Sequence, residues 1–119
     1  MTQKQYQRNL KKFLKEIDKT RDCGQKEYAR SNDNIFANFE RVSSTLNINR
    51  EKVLMTYLLK HVDGIASYID GHKSQREDVT GRITDAIVYL FLLWAMVSEK
   101  NNNQKITAEN EDYWTTTTS

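Results

Sequence analysis

The chain has no proline, four glycines and a single cysteine among its 119 residues. A small β-rich domain needs more turn-forming residues than that, so the scarcity favours helices. Cys23 has no partner for an internal disulfide, and one thiolate cannot build a thiolate zinc site. A dominant charge is missing as well: 18 lysines and arginines meet 16 aspartates and glutamates, a net charge of +2. So small an excess does not imply nucleic-acid binding. The opening "MTQKQYQRNL" lacks the apolar core of a signal peptide. The expectation is a cytoplasmic protein of one domain with one modest core.

What is present is unevenly placed. Residues 86–97, "AIVYLFLLWAMV", form an unbroken apolar run in a chain that is only 38% hydrophobic. A membrane-spanning helix needs about 20 apolar residues. This run has twelve, bounded by Arg82 and Asp85 before it and by Glu99 and Lys100 after it. No membrane span is expected from it. A helix that is apolar on every side must be covered on every side, and three short helices cover only part of one. The remaining face, carrying Tyr89, Phe91 or Trp94, is expected to pack on another copy. A homodimer or higher oligomer follows, with this helix central.

Apolar spacing divides the rest into helices. Tyr6, Leu10, Phe13, Leu14 and Ile17 make one stripe on a basic first helix, which "RDCGQ" ends through Gly24. Ile35, Phe39, Val42 and Leu46 mark a second helix, capped by Ser31 or Asp33. Asn47 and Asn49 interrupt it. Asn49 caps a third helix with the inner stripe Leu54, Leu58, Val62, Ile65 and Ile69, stopped at Gly71. Ser74 and Glu77 have the spacing of a capping box for the fourth. That helix is expected to start near Gln75 and to end near Lys100, where "NNNQ" dissolves it. The fold class is therefore all-α: four helices in a single domain over residues 1–100, followed by a polar, mobile tail over residues 101–119. Tyr113 and Trp114 in that tail are candidates for local docking.

Three groups of residues have spacings that suit chemistry. Asp78, Arg82, Asp85 and Tyr89 follow at four, three and four, on one face where the apolar helix begins. They read either as a ladder of intrahelical ion pairs or as a site in which Arg82 grips a phosphate and Asp85 holds a cation or hydroxyl. In "LLKHVDGI", His61 lies within the apolar arc. It is either a core-edge histidine satisfied by a hydrogen bond or an acid/base group beside a phosphate-binding Lys60. Lys60 and Asp63 can equally pair with each other. Asn34, Asn38 and Arg41 share a third face, and interior asparagines are poor helix formers. Their amides suit a neighbouring helix or the edge of a ligand base. No phosphate-binding glycine loop and no HExxH is present.

The segments "KEYARSNDNIFANFERVSSTLNI", "VLMTYLLKHVDGIASYI" and "GRITDAIVYLFLL" resemble small phage-encoded helical proteins of the nucleotide-modification-associated group. The resemblance covers residues 26–99. Carried over by position, it implies that Tyr28, Asn38, Phe39, Lys60, Asp63, Arg82 and Asp85 contact nucleotides or their modification machinery. The last segment also looks like the second acidic motif of the MazG-like all-helical nucleoside-triphosphate pyrophosphatases, which hold magnesium between paired carboxylates. Here no Glu-x-x-Glu faces it, and Arg82 stands where a carboxylate belongs. Magnesium is thus a possible cofactor only through Asp63, Asp78 and Asp85.

Two functions follow as expectations. One is a helical oligomer that binds a nucleotide or other phosphorylated ligand through Tyr28, Asn34, Asn38, Lys60, His61, Asp63, Arg82 and Asp85, accessory to nucleotide metabolism or DNA modification. The alternative is a non-enzymatic phage protein acting against a host defence system. In it the basic first helix, with nine bases and four acids in the first thirty residues, and the aromatic tail would form the binding surface. DNA binding is the weakest reading, because acids intervene and no recognition helix stands out.

Overall fold

A computed structural model places residues 1–24, 34–72 and 78–115, with side chains of the last stretch described as far as Asn103. The described residues form four α-helices and no strands: α1 (Gln3–Gly24), α2 (Ala37–Leu46), α3 (Arg50–Ile69) and α4 (Val79–Thr115). The all-α expectation of four helices holds. Tyr28, Ser31, Asp33, Ser74 and Glu77 lie outside the described residues.

Each start and stop has a local cause. At the head of α1, the Gln5 N–H donates to Thr2 Oγ1 (3.1 Å) and the Thr2 N–H to Gln5 Oε1 (2.7 Å), a reciprocal cap. Helix α2 begins at Ala37, after a turn in which Asn34 Oδ1 accepts the Phe36 N–H at 3.0 Å. It ends where Asn47 takes the left-handed conformation, φ 56°, which asparagine tolerates better than most residues. Asn49 caps α3 as its position suggests, accepting the Lys52 N–H at 2.8 Å. Gly71, at φ 96°, follows the end of α3.

The last helix departs from the sequence expectation at both ends. It begins at Val79 rather than near Gln75, and it runs on through the stretch read as a tail, to Thr115. Residues 82–119 contain neither glycine nor proline. Asparagine costs a helix only about 0.7 kcal/mol relative to alanine, so "NNNQ" weakens the helix without breaking it. At 37 residues α4 is about 55 Å long. The 12-residue run is shorter than a membrane span, but the helix that carries it is not. By length and composition alone Val79–Asn103 passes for a spanning helix: it contains an 18-residue window of mean hydropathy 1.4, of which 22% is buried.

The core sits where α2, α3 and α4 meet. Phe36, Phe39, Val53, Leu54, Val88, Leu92 and Met96 are buried together, with Ile17 of α1 packed against their edge. On α3 the covered face is Val53, Leu54, Leu58 and His61. Val62 and Ile69, assigned to the inner stripe by spacing, face outward instead. The reason is the partner: α4 engages α3 through Tyr89 and Asp85, which face Tyr57 and His61. Arg50 ties three helices at one end. Its Nη1 lies 2.9 Å from Glu40 Oε1, its Nη2 lies 3.3 Å from Glu99 Oε1, and its guanidinium sits 4.7 Å above the Phe36 ring.

The molecule is extended. Its radius of gyration is 18.7 Å and its extents are 60 × 42 × 29 Å, whereas a compact chain of this length has a radius of gyration of about 13.5 Å.

Candidate functional site

A cavity of about 570 Å³ opens between the C-terminal half of α1, the start of α2, and the facing sides of α3 and α4. That volume falls in the ordinary range for small-molecule sites, roughly 300–1,000 Å³. Its floor is a group of aromatic rings. Tyr57 and Tyr89 stack at 6.1 Å between centroids and 19° between planes. Phe39 meets both edge-on, at 6.1 and 6.2 Å, and the His61 imidazole stacks on Tyr89 at 5.6 Å. These rings meet because their helical registers put Tyr57 and His61 one turn apart on α3, opposite Asp85 and Tyr89 one turn apart on α4.

His61 is 7% exposed. Its Nε2 lies 3.8 Å from Asp85 Oδ2, beyond hydrogen-bond reach. The half-buried Asp85 places negative charge in the cavity lining. The opposite charge comes from other helices: Lys19 and Arg21 from α1 and Lys60 from α3 line the same space. Burial holds the Arg21 guanidinium below its ordinary pKa, with neighbouring Asp22 working in the other direction. Asn38 is half-buried in the wall beside Phe39 and supplies an amide that both donates and accepts.

Five of the residues singled out by sequence, Asn38, Lys60, His61, Asp85 and Tyr89, thus share one cavity, as does Phe39. Among the described residues, Asn34, Asp63, Asp78 and Arg82 do not line it. Asn34 serves the turn before α2 and donates from its amide to Glu40 Oε2 at 2.8 Å. Asp63 is on the exposed side of α3. Arg82 lies across Gly64, so close that a Cβ at that glycine would stand 2.6 Å from Cδ, Nε and Cζ of the arginine. Asp78 sits just before α4, its backbone carbonyl accepting the Arg82 N–H at 3.0 Å. The row Asp78–Arg82–Asp85 is thereby divided, with Asp85 in the cavity and the Arg82 side chain lying against Gly64 of α3.

Lys19, Arg21, Tyr57 and Glu16 line the cavity without having been singled out. Tyr57 carried a signal, standing one turn before His61 and pointing the same way. The α1 residues carried none, since nothing local to α1 shows which part of the chain its end will meet. Among the described residues, no three histidine, cysteine or carboxylate side chains converge where a metal ion could be held. No protein-family model matches the chain, and no curated protein or solved structure matches it either.

Proposed function

We propose that the chain binds a nucleotide, or another phosphorylated ligand with a flat ring, in the cavity between α1 and the α2–α4 core. The carrying observation is the meeting of three cations, Lys19, Arg21 and Lys60, with the Phe39, Tyr57 and Tyr89 rings and the Asn38 amide in one space. Cations attract phosphate oxygens, with the fork of Arg21 suited to two at once. Aromatic rings accept a base face or edge. An amide can read a base's donor–acceptor pattern. The reading agrees with what the resemblance to the nucleotide-modification-associated phage group implies, a role accessory to nucleotide metabolism or DNA modification.

Self-association through α4 belongs to the same proposal. Leu90, Phe91, Trp94 and Val97 are exposed on α4, and the Phe91 and Trp94 rings stack on each other 5.8 Å apart rather than on the core.

The test is thermal unfolding in the presence of nucleoside mono-, di- and triphosphates at millimolar concentration, with and without magnesium. A ligand at one hundred times its dissociation constant stabilises by about 2.7 kcal/mol. Lys60→Ala and Arg21→Ala should abolish the shift, and Asp63→Ala should keep it. No shift with any of these ligands would sink the proposal.

One observation favours the second reading, an interaction protein directed at a host defence system. Helix α1 has no buried residue and leaves Tyr6, Leu10 and Leu14 exposed along its length. In that case, charge and apolar substitutions at those positions remove activity, and cavity substitutions leave it intact.

A further inference from the structure

The outward side of α3 carries a pattern that the core does not use. Met55, Leu59, Val62, Ala66 and Ile69 follow one another at four, three, four and three residues, and all five are exposed, Leu59 by 51% and Ile69 by 75%. On α4, Ile83, Ile87, Leu90, Trp94 and Val97 repeat the same spacing, with Trp94 exposed by 64%. A four-three alternation of apolar residues is the seam along which one helix packs on another. Each helix therefore has two seams, one buried and one open.

The two open seams lie on the same flank. Arg50 meets Glu99, Tyr57 meets Tyr89, His61 meets Asp85 and Gly64 meets Arg82, so numbers rise in α3 as they fall in α4 and the helices are antiparallel. At 100° per residue, each open seam stands roughly 110–150° from that contact line, in the same rotational sense along its own chain. Reversing one helix reverses that sense in space, which brings both seams to one side of the pair. Val53 and Val88 stand on the other side of the line, and they are the residues buried with Phe36 and Phe39 of α2. Helix α2 thus covers one flank and leaves the other open.

We infer that this two-helix flank, α3 as well as α4, is the contact surface for a second copy of the chain. The inference rests on the proposed self-association and extends its interface. Three observations select that occupant. The first is area. The chain exposes 9444 Å², against about 6,700 Å² for a compact monomer of its 14.0 kDa mass. The surplus is about 2,700 Å² for the whole chain, and the exposed residues of the two seams belong to the surface that makes it. A stable dimer needs only about 800 Å² from each partner. The second is the matched spacing, which lets identical seams interlock about a two-fold axis.

The third is charge. Lys52, Asp63 and Asp70 edge the α3 seam, all exposed. When the two-fold axis crosses the helices, each α3 meets its equivalent antiparallel, and Lys52 falls opposite the partner's Asp70. The same rim has two acids to one base, which an anionic bilayer would repel. A membrane is therefore the poorer occupant, although α4 is apolar enough for one.

Light scattering and sedimentation over a micromolar concentration series decide this, with helicity followed by circular dichroism. The wild-type chain should be a dimer. Leu90→Glu and Leu59→Glu should each weaken it at least tenfold with helicity kept. Lys52→Glu and Asp70→Lys should each weaken it two- to five-fold, and the double charge exchange should restore it. Because both rim residues are exposed, this exchange does not depend on the apolar variants folding. Dissociation by Leu90→Glu while Leu59→Glu and the rim variants stay dimeric would overturn the α3 part and leave pairing through α4. A wild-type monomer throughout would overturn both. Flotation of the wild type with anionic vesicles, lost in Leu59→Glu and without a dimer, would assign the flank to a bilayer instead.

Discussion

Helices α1 and α3 are near twins in length, 22 and 20 residues, and each has apolar residues at three- and four-residue intervals. Their fates differ. Four residues of α3 are buried, and none of α1 is. The spacing of apolar residues shows that a helix has a face to offer. Whether that face is taken depends on what the rest of the chain delivers to it. For α3 that partner is α4, antiparallel along its whole length; α1 touches the body mainly through Ile17 and the residues that wall the cavity. The same physics thus produces a core element in one case and an exposed cover in the other.

This contrast can be broken experimentally. Leu54 is fully buried, and Leu54→Ala should cost about 2–5 kcal/mol in urea unfolding through lost burial and the cavity left behind. Loss of the α3 cap in Asn49→Ala should cost about 1 kcal/mol by the same measurement. Gly64→Ala sharpens the picture of how α3 and α4 touch. Alanine gains about 1 kcal/mol of helix propensity, but its Cβ displaces Arg82. In the native background these effects should nearly cancel, whereas in an Arg82→Ala background the full stabilisation should emerge. Leu14→Ala, on the exposed side of α1, should change stability by less than about 0.5 kcal/mol. If it costs as much as Leu54→Ala, α1 is part of the core and the contrast fails.

How much of this could be read from the sequence varies with the range of the cause. Caps and stops are local, and Asn47, Asn49 and Gly71 act where their positions suggested. Helix type was local too. The end of α4 was misplaced because three asparagines were weighed as a break, although a helix without glycine or proline tolerates them. The inner face of α3 was misassigned for a longer-range reason: with apolar residues on two flanks, spacing cannot say which flank is inside. The cavity shows the same division. Asn38, Lys60, His61 and Asp85 could be nominated from their own helices. Arg21 could not, since its place follows from where α1 lands.

Arg50 joins α2, α3 and α4 through Glu40, Glu99 and the Phe36 ring, and that makes it a salt-sensitive clasp on the shortest helix. A ten-residue helix does not persist alone in water. Added electrolyte screens the two carboxylate contacts while sparing the ring contact. Screening accordingly slackens the tie between α2 and the α3–α4 pair, and α2 supplies Asn38 and Phe39 to the cavity wall. Ionic strength then reaches the pocket by a second route, through the slackening of its wall as well as through screening of its cations.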